Sequence, residues 1–134
     1  MQYLAIDPGK RTGWASFDEE GKSIEFGAIQ GYDKFLDWLE TQHPGLLIVE
    51  QYRNRGGLTN SFSDMPTSQH IGAIRRIAYK KKIPIIYQEP SPCLAIGLRF
   101  LGVYKTYQGK HVPDEISALA HGTYYLRKQG IQKV

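Results

Sequence analysis

Tyr3-Leu4-Ala5-Ile6-Asp7-Pro8-Gly9 begins as a buried strand and ends on a carboxylate at the edge of a turn. Leu46-Leu47-Ile48-Val49-Glu50 repeats the arrangement. Each apolar run is too short for a typical helix and fits a strand covered on both faces, as in a parallel sheet. A carboxylate is costly to bury unless it is paired or holds a cation, so two acids closing two core strands need a common explanation. A shared metal ion supplies one. Taken singly, Asp7 can instead cap the Pro8-Gly9 turn and Glu50 can pair with a basic neighbour.

Around these two strands the chain alternates strand and helix signals. Residues 2–7, 12–17 and 23–29 read as an antiparallel meander, turning at Pro8-Gly9-Lys10-Arg11 and again through Gly21. From Tyr32 the apolar positions Phe35, Leu36 and Leu39 recur at helical spacing, and Pro44-Gly45 halts that helix before the strand ending in Glu50. Residues 51–66 form a polar, glycine-containing loop of the kind that carries function after a sheet strand. Thr67 or Ser68 can cap a helix with Ile71, Ile74, Ile77 and Ala78 on one face and Arg75, Arg76, Lys80 and Lys82 elsewhere. Residues 83–87 predict a fifth strand, and Ser91-Pro92 starts a helix running to about Leu101. Residues 103–110 read as a basic, aromatic loop. Pro113 opens a last helix ending near Gly130, with His111 and Asp114 on either side of its first turn. The whole, residues 1–134, is expected to be one α/β domain with a mixed sheet of about five strands.

Composition narrows the class. The single Cys93 excludes an intramolecular disulfide, and no cationic, apolar leader precedes the first strand, so a reducing cytoplasm is expected. No apolar run approaches the roughly 20 residues that span a bilayer. The net charge of +4 is unevenly placed: residues 1–50 carry four Lys/Arg against nine Asp/Glu, and residues 51–112 carry ten against two. A basic surface beside an acidic site suits a polyanion lying over metal-binding carboxylates. The run Lys80-Lys81-Lys82 taken alone is equally a solvated helix face.

Leu4-Ala5-Ile6-Asp7-Pro8-Gly9 followed by Thr12-Gly13-Trp14-Ala15 resembles the opening of the RuvC Holliday-junction resolvases. Ile48-Val49-Glu50-Gln51 is similar to their second acidic motif. His111-Val112-Pro113-Asp114, followed by Ala118-Leu119-Ala120, is similar to their last helix motif, whose first position is Asp or His and whose fourth is Asp. Three motifs in order say more than any one, since Asp-x-Gly also opens actin-like ATPases and YqgF-type nucleases. The resemblance implies a ribonuclease H-like fold with strand order 3-2-1-4-5 and Asp7 and Glu50 on adjacent central strands. It also implies a Mg²⁺-dependent, dimeric endonuclease that resolves four-way DNA junctions by paired symmetric nicks. Two departures stand out. The chain is shorter than the family between the helix starting near Ser91 and His111, which looks more like the compact resolvases of phages. Where the family places an aromatic wedge three residues after the second acid, this chain has Arg53, with Tyr52 one residue earlier.

Hard oxygen ligands suit Mg²⁺, so the expected catalytic and metal-holding set is Asp7, Glu50, His111 and Asp114, with the imidazole of His111 tilting preference toward Mn²⁺. His111 can alternatively transfer a proton near the leaving oxygen or simply cap its helix. Arg53, Arg55, Arg75, Arg76, Lys80, Lys105 and Lys110 are the expected phosphate contacts, and Tyr52 the expected base-stacking ring. The helix from Thr67 to Lys82 is the dimer surface that the resemblance implies, although its apolar face equally suits core packing. His121, seven residues after Asp114, is expected to form structural hydrogen bonds, whereas His70 and Glu115 are expected at the surface. Two other readings remain: a YqgF-like nuclease acting on structured RNA, and a non-catalytic module that binds branched DNA.

Overall fold

The computed structural model describes residues 1–51 and 65–133. Its elements run β1 (Tyr3–Asp7), β2 (Arg11–Phe17), β3 (Ser23–Gln30), α1 (Tyr32–Glu40), β4 (Leu46–Glu50), α2 (Met65–Lys81), β5 (Ile85–Gln88), α3 (Pro90–Phe100), α4 (Tyr104–Tyr107) and α5 (Asp114–Lys128). They build a five-stranded sheet in the order β3-β2-β1-β4-β5. β1 is antiparallel to β2 and parallel to β4, with Ala5 opposite Ile48 and Ile6 opposite Val49. β4 is parallel to β5, where Glu50 pairs with Gln88.

The period-two alternation of the central strands sorts their side chains onto two layers. Leu4, Ile6, Leu47 and Val49 face α1 and α2, where they meet Phe35, Leu39, Ile74, Ile77 and Ala78. Ala5 and Ile48 face the other way and meet Ala118 and Leu126 of α5. Each large aliphatic or aromatic side chain so buried contributes roughly 1.5–3 kcal/mol. Asp7, Glu50 and Gln88 lie two residues beyond Ala5, Ile48 and Ile86, so the same alternation turns all three toward the α5 layer.

That layer is thin because α5 presents small residues to the sheet. A Cβ on Gly122 would stand 2.3 Å from the Phe17 ring, and one on Gly13 would stand 2.0 Å from the backbone oxygen of Asp114. The helix is thus seated low over β1 and β2, with its N-terminus against β2.

The sequence-based boundaries shift at several points. α2 starts at Met65, ahead of the expected cap at Thr67 or Ser68. β5 starts at Ile85 and not at residue 83, because the Ile83 N–H closes the end of α2 on the Ala78 carbonyl at 2.9 Å, beyond Lys82 in the left-handed region (φ 59°). Residues 103–110 are not loop throughout, since Tyr104–Tyr107 form the short α4. Pro113 is the N-cap of α5 and not its first residue, so the helix begins at Asp114, one place later than expected. Ile74, Ile77 and Ala78 of α2 are core, which answers the ambiguity over that apolar face. Among the described residues no helix is long and apolar enough to cross a membrane.

Candidate active site

At the ends of β1 and β4 the carboxyl groups of Asp7 and Glu50 are in hydrogen-bonding contact. Both side chains are partly buried. Burial, followed by the hydrogen bond and the negative charge of Glu50, pushes the Asp7 carboxyl up to about 9, with a smaller push from the charge of Asp114. A hydrogen bond from Ser117 on α5 works in the opposite direction. Two acids brought together at a partly buried place repel one another when both are ionised.

Asp114 begins α5, where the helix dipole favours a carboxylate. Ser117 and His121 follow at three and seven residues and project toward the same side of the helix. Asp114 is also tied from outside: the Arg11 guanidinium lies 3.1 Å from its Oδ2 and 2.8 Å from Oε2 of Glu115. The guanidinium holds the Glu115 carboxyl below its ordinary range. Glu115, expected at the surface, is a partly buried ion-pair partner of Arg11. Among the described residues no three His, Cys, Asp or Glu side chains are grouped so that they could hold a metal ion, and the Asp114 carboxyl is paired with Arg11.

His121 is fully buried beneath Glu50. Its Nε2 lies 3.5 Å from Glu50 Oε2, while Gln88 Nε2 lies 3.2 Å from its Nδ1 and donates to its backbone oxygen at 3.0 Å. The structural hydrogen bonding expected of His121 is present. Gln88 escaped the sequence reading because the fifth strand was expected to stop at Tyr87.

His70 corrects a second expectation. It is 3% exposed, with its Nε2 2.9 Å from Thr12 Oγ1, and Thr12 donates in turn to the Gly9 carbonyl at 2.8 Å. The Tyr32 and Phe35 rings flank it. A helix residue thereby supports the turn that follows Asp7. No pattern in the sequence links His70 to Thr12, 58 residues away.

The remaining candidates divide. His111 is exposed ahead of α5, and Lys105 and Lys110 are exposed nearby. Arg75, Arg76 and Lys80 are exposed on α2, and Arg75 lines a cleft with Gln51, the residue after Glu50. Tyr52, Arg53 and Arg55 lie outside the described residues.

The arrangement has known counterparts among solved structures. Thermus thermophilus RuvC superposes with a TM-score of 0.65 at 17% identity, covering 99% of each chain. The fold is that of RuvC. The same protein in complex with Holliday junction substrate matches with a TM-score of 0.61 at 16% identity, covering 98% of this chain and 97% of that one. The yeast mitochondrial Holliday junction resolvase Ydc2 matches with a TM-score of 0.63 at 15% identity, covering 97% and 79%. No family model and no curated protein matches the chain. At these identities the likeness to RuvC establishes the sheet order and helix placement expected from sequence, and the chemistry is argued from the residues themselves.

Proposed function

We propose that this protein is a divalent-metal-dependent endonuclease that resolves four-way DNA junctions by paired symmetric nicks, acting as a homodimer in the cytoplasm of a bacterial or phage-infected cell. The observation that carries the reading is the contact of the Asp7 and Glu50 carboxyls at the ends of adjacent parallel strands, with the charge of Asp114 on α5 also felt by Asp7. Crowded acids whose charges repel gain most from a cation, and hard oxygen donors suit Mg²⁺. Asp7, Glu50 and Asp114 would hold it, with His111 adding a nitrogen that suits Mn²⁺. Divalent ions held by Asp7, Glu50 and Asp114 would supply Lewis acidity toward a water and toward the leaving oxygen of a phosphodiester.

The chain's own groups prepare the rest. Ser117 donates to Asp7 and favours its ionised form, and Arg11 keeps Asp114 at the mouth of the site. Arg75, Arg76, Lys80, Lys105 and Lys110, with Arg53 and Arg55, supply cations for the DNA backbone, and Tyr52 a ring for an unstacked base. The RuvC structure determined with Holliday junction substrate supports a branched-DNA ligand. A four-way junction has two equivalent strands to cut, which suits a two-fold dimer. The apolar side of α2 is used up in the core, so a dimer through this helix would meet on its outer side around Gly72, Arg76 and Tyr79, the last 75% exposed.

The test is incubation of labelled four-way DNA, linear duplex and hairpin RNA with Mg²⁺, Mn²⁺ or EDTA, with cuts mapped to the nucleotide. Paired nicks in the junction alone, abolished by EDTA, are expected. Preferential cutting of the hairpin RNA would replace this reading with a YqgF-like one, and junction binding without cutting in either metal would leave a non-catalytic module.

A further inference from the structure

The amide of Gln88 is oriented without ambiguity. Its nitrogen lies 3.0 Å from the His121 backbone oxygen, which can only accept a hydrogen bond, so the NH₂ and not the carbonyl faces His121. The same nitrogen is 3.2 Å from His121 Nδ1. A donor at that distance requires a lone pair on Nδ1, which leaves the proton of a neutral imidazole on Nε2. That Nε2 is buried, has no hydrogen-bond partner among the described residues, and stands 3.5 Å from Glu50 Oε2. The ring's one open donor therefore faces one oxygen of Glu50.

We infer that His121 is a positioning residue for Glu50, its tautomer fixed by Gln88 so that a neutral N–H holds Oε2 and leaves the other carboxylate oxygen for a cation. The inference rests on the proposed reading of Glu50 as a metal ligand. A neutral donor suits this place better than a lysine or arginine, because it orients the carboxylate without a positive charge that would repel the ion. The same tautomer argues against His121 as a ligand itself, since coordination through Nε2 would need the lone pair that Gln88 has assigned to Nδ1. At 3.5 Å the N–H and Oε2 stand slightly farther apart than in a full hydrogen bond.

Two measurements on the whole protein test it. Long-range ¹⁵N–¹H NMR of the metal-free wild type should show His121 protonated on Nε2, and protonation on Nδ1 overturns the inference. Mn²⁺ titration, followed by calorimetry and by the loss of free-ion EPR signal, then compares variants whose fold is checked by circular dichroism. His121→Leu should weaken Mn²⁺ binding by about 10–100-fold, whereas His121→Gln, which returns a donor near the Nε2 position, should stay within about threefold of wild type. A folded His121→Leu that binds Mn²⁺ as tightly as wild type overturns the inference. Glu50→Gln separates the two levels: if it leaves Mn²⁺ affinity unchanged, the metal-site reading itself has failed, whatever His121 does. If His121→Leu does not fold, the tautomer measured on the wild type still decides.

Discussion

The two faces of the sheet bury a histidine each, and their neighbours give those histidines different work. On the α1 and α2 face His70 lies among rings and aliphatic side chains and bonds to a threonine hydroxyl that steadies a turn. On the α5 face His121 lies between Gln88 and Glu50, its Nε2 toward the carboxylate. Both are buried, and burial lowers the tendency of each to take a proton. What separates them is the third dimension of the packing: large side chains seal one layer, while small ones let the other bring a helix close enough to share polar atoms with the strand ends.

The sharpest way to break the contrast is to remove the acids of the α5 face. Asp7→Asn, Glu50→Gln and Asp114→Asn should each lower junction cleavage by on the order of 10³-fold or more, and double variants should add little, because the three serve one site. Asp7→Asn should bind the junction at least as tightly as wild type and, in EDTA, melt at a higher temperature, since it relieves the crowding with Glu50. Wild-type turnover by that variant would remove the metal site from the α5 face altogether.

Two helix glycines sharpen the comparison at the level of packing. Gly122→Ala drives a methyl into the Phe17 ring and should cost about 1–3 kcal/mol in urea unfolding, with cleavage reduced as α5 lifts. Gly72→Ala, in α2 with nothing among the described residues within 4 Å of the new Cβ, should stabilise by about 0.5–1 kcal/mol. Equal signs for the two would mean that the layers do not differ in tightness.

Acid titration probes the other histidine. Burial lowers His70 from 6.5 to about 4, opposed by the negative charge of Asp33, so between those values the unfolded chain binds the proton and the folded one does not. Its contribution is complete above pH 6.5 and is lost as pH falls, by up to about 3 kcal/mol near pH 4. Urea midpoints at pH 7, 6 and 5 should fall less steeply in His70→Gln than in wild type. Parallel slopes would show that His70 is solvated in the folded state.

A smaller effect is expected outside both layers. His111→Asp should remain active and shift preference from Mn²⁺ toward Mg²⁺, measured as the ratio of cleavage rates in the two metals. An unchanged ratio would return His111 to a capping role.

Much of the fold was legible because it follows from local rules. An apolar run closed by an acid marked β1 and β4, helical spacing marked α1, and Pro-Gly or Gly punctuation separated the strands of the meander. The carboxylates were legible for the same reason: a charge stands out against apolar neighbours. Arg11, Thr12, Gln88 and His70 were not, because each matters through a partner far along the chain. Arg11 meets Asp114 across 103 residues, and Gln88 meets His121 across 33. Polar pairing of that kind leaves no periodicity for a sequence to display. His70 was misplaced on the surface because histidine is usually only partly buried and its ring partners Tyr32 and Phe35 belong to another helix.

Lys81 carries a consequence for how the protein would answer to salt. Its ammonium donates to the backbone oxygens of Glu40 and Gln42, fastening the end of α2 to the connection between α1 and β4. Lysine there is a rivet, although it stands in the middle of a run of three that looks like a landing strip for phosphate. Each lysine that meets a backbone phosphate frees about one condensed counterion, so a titration of affinity against salt should count Lys80 and leave Lys81 out.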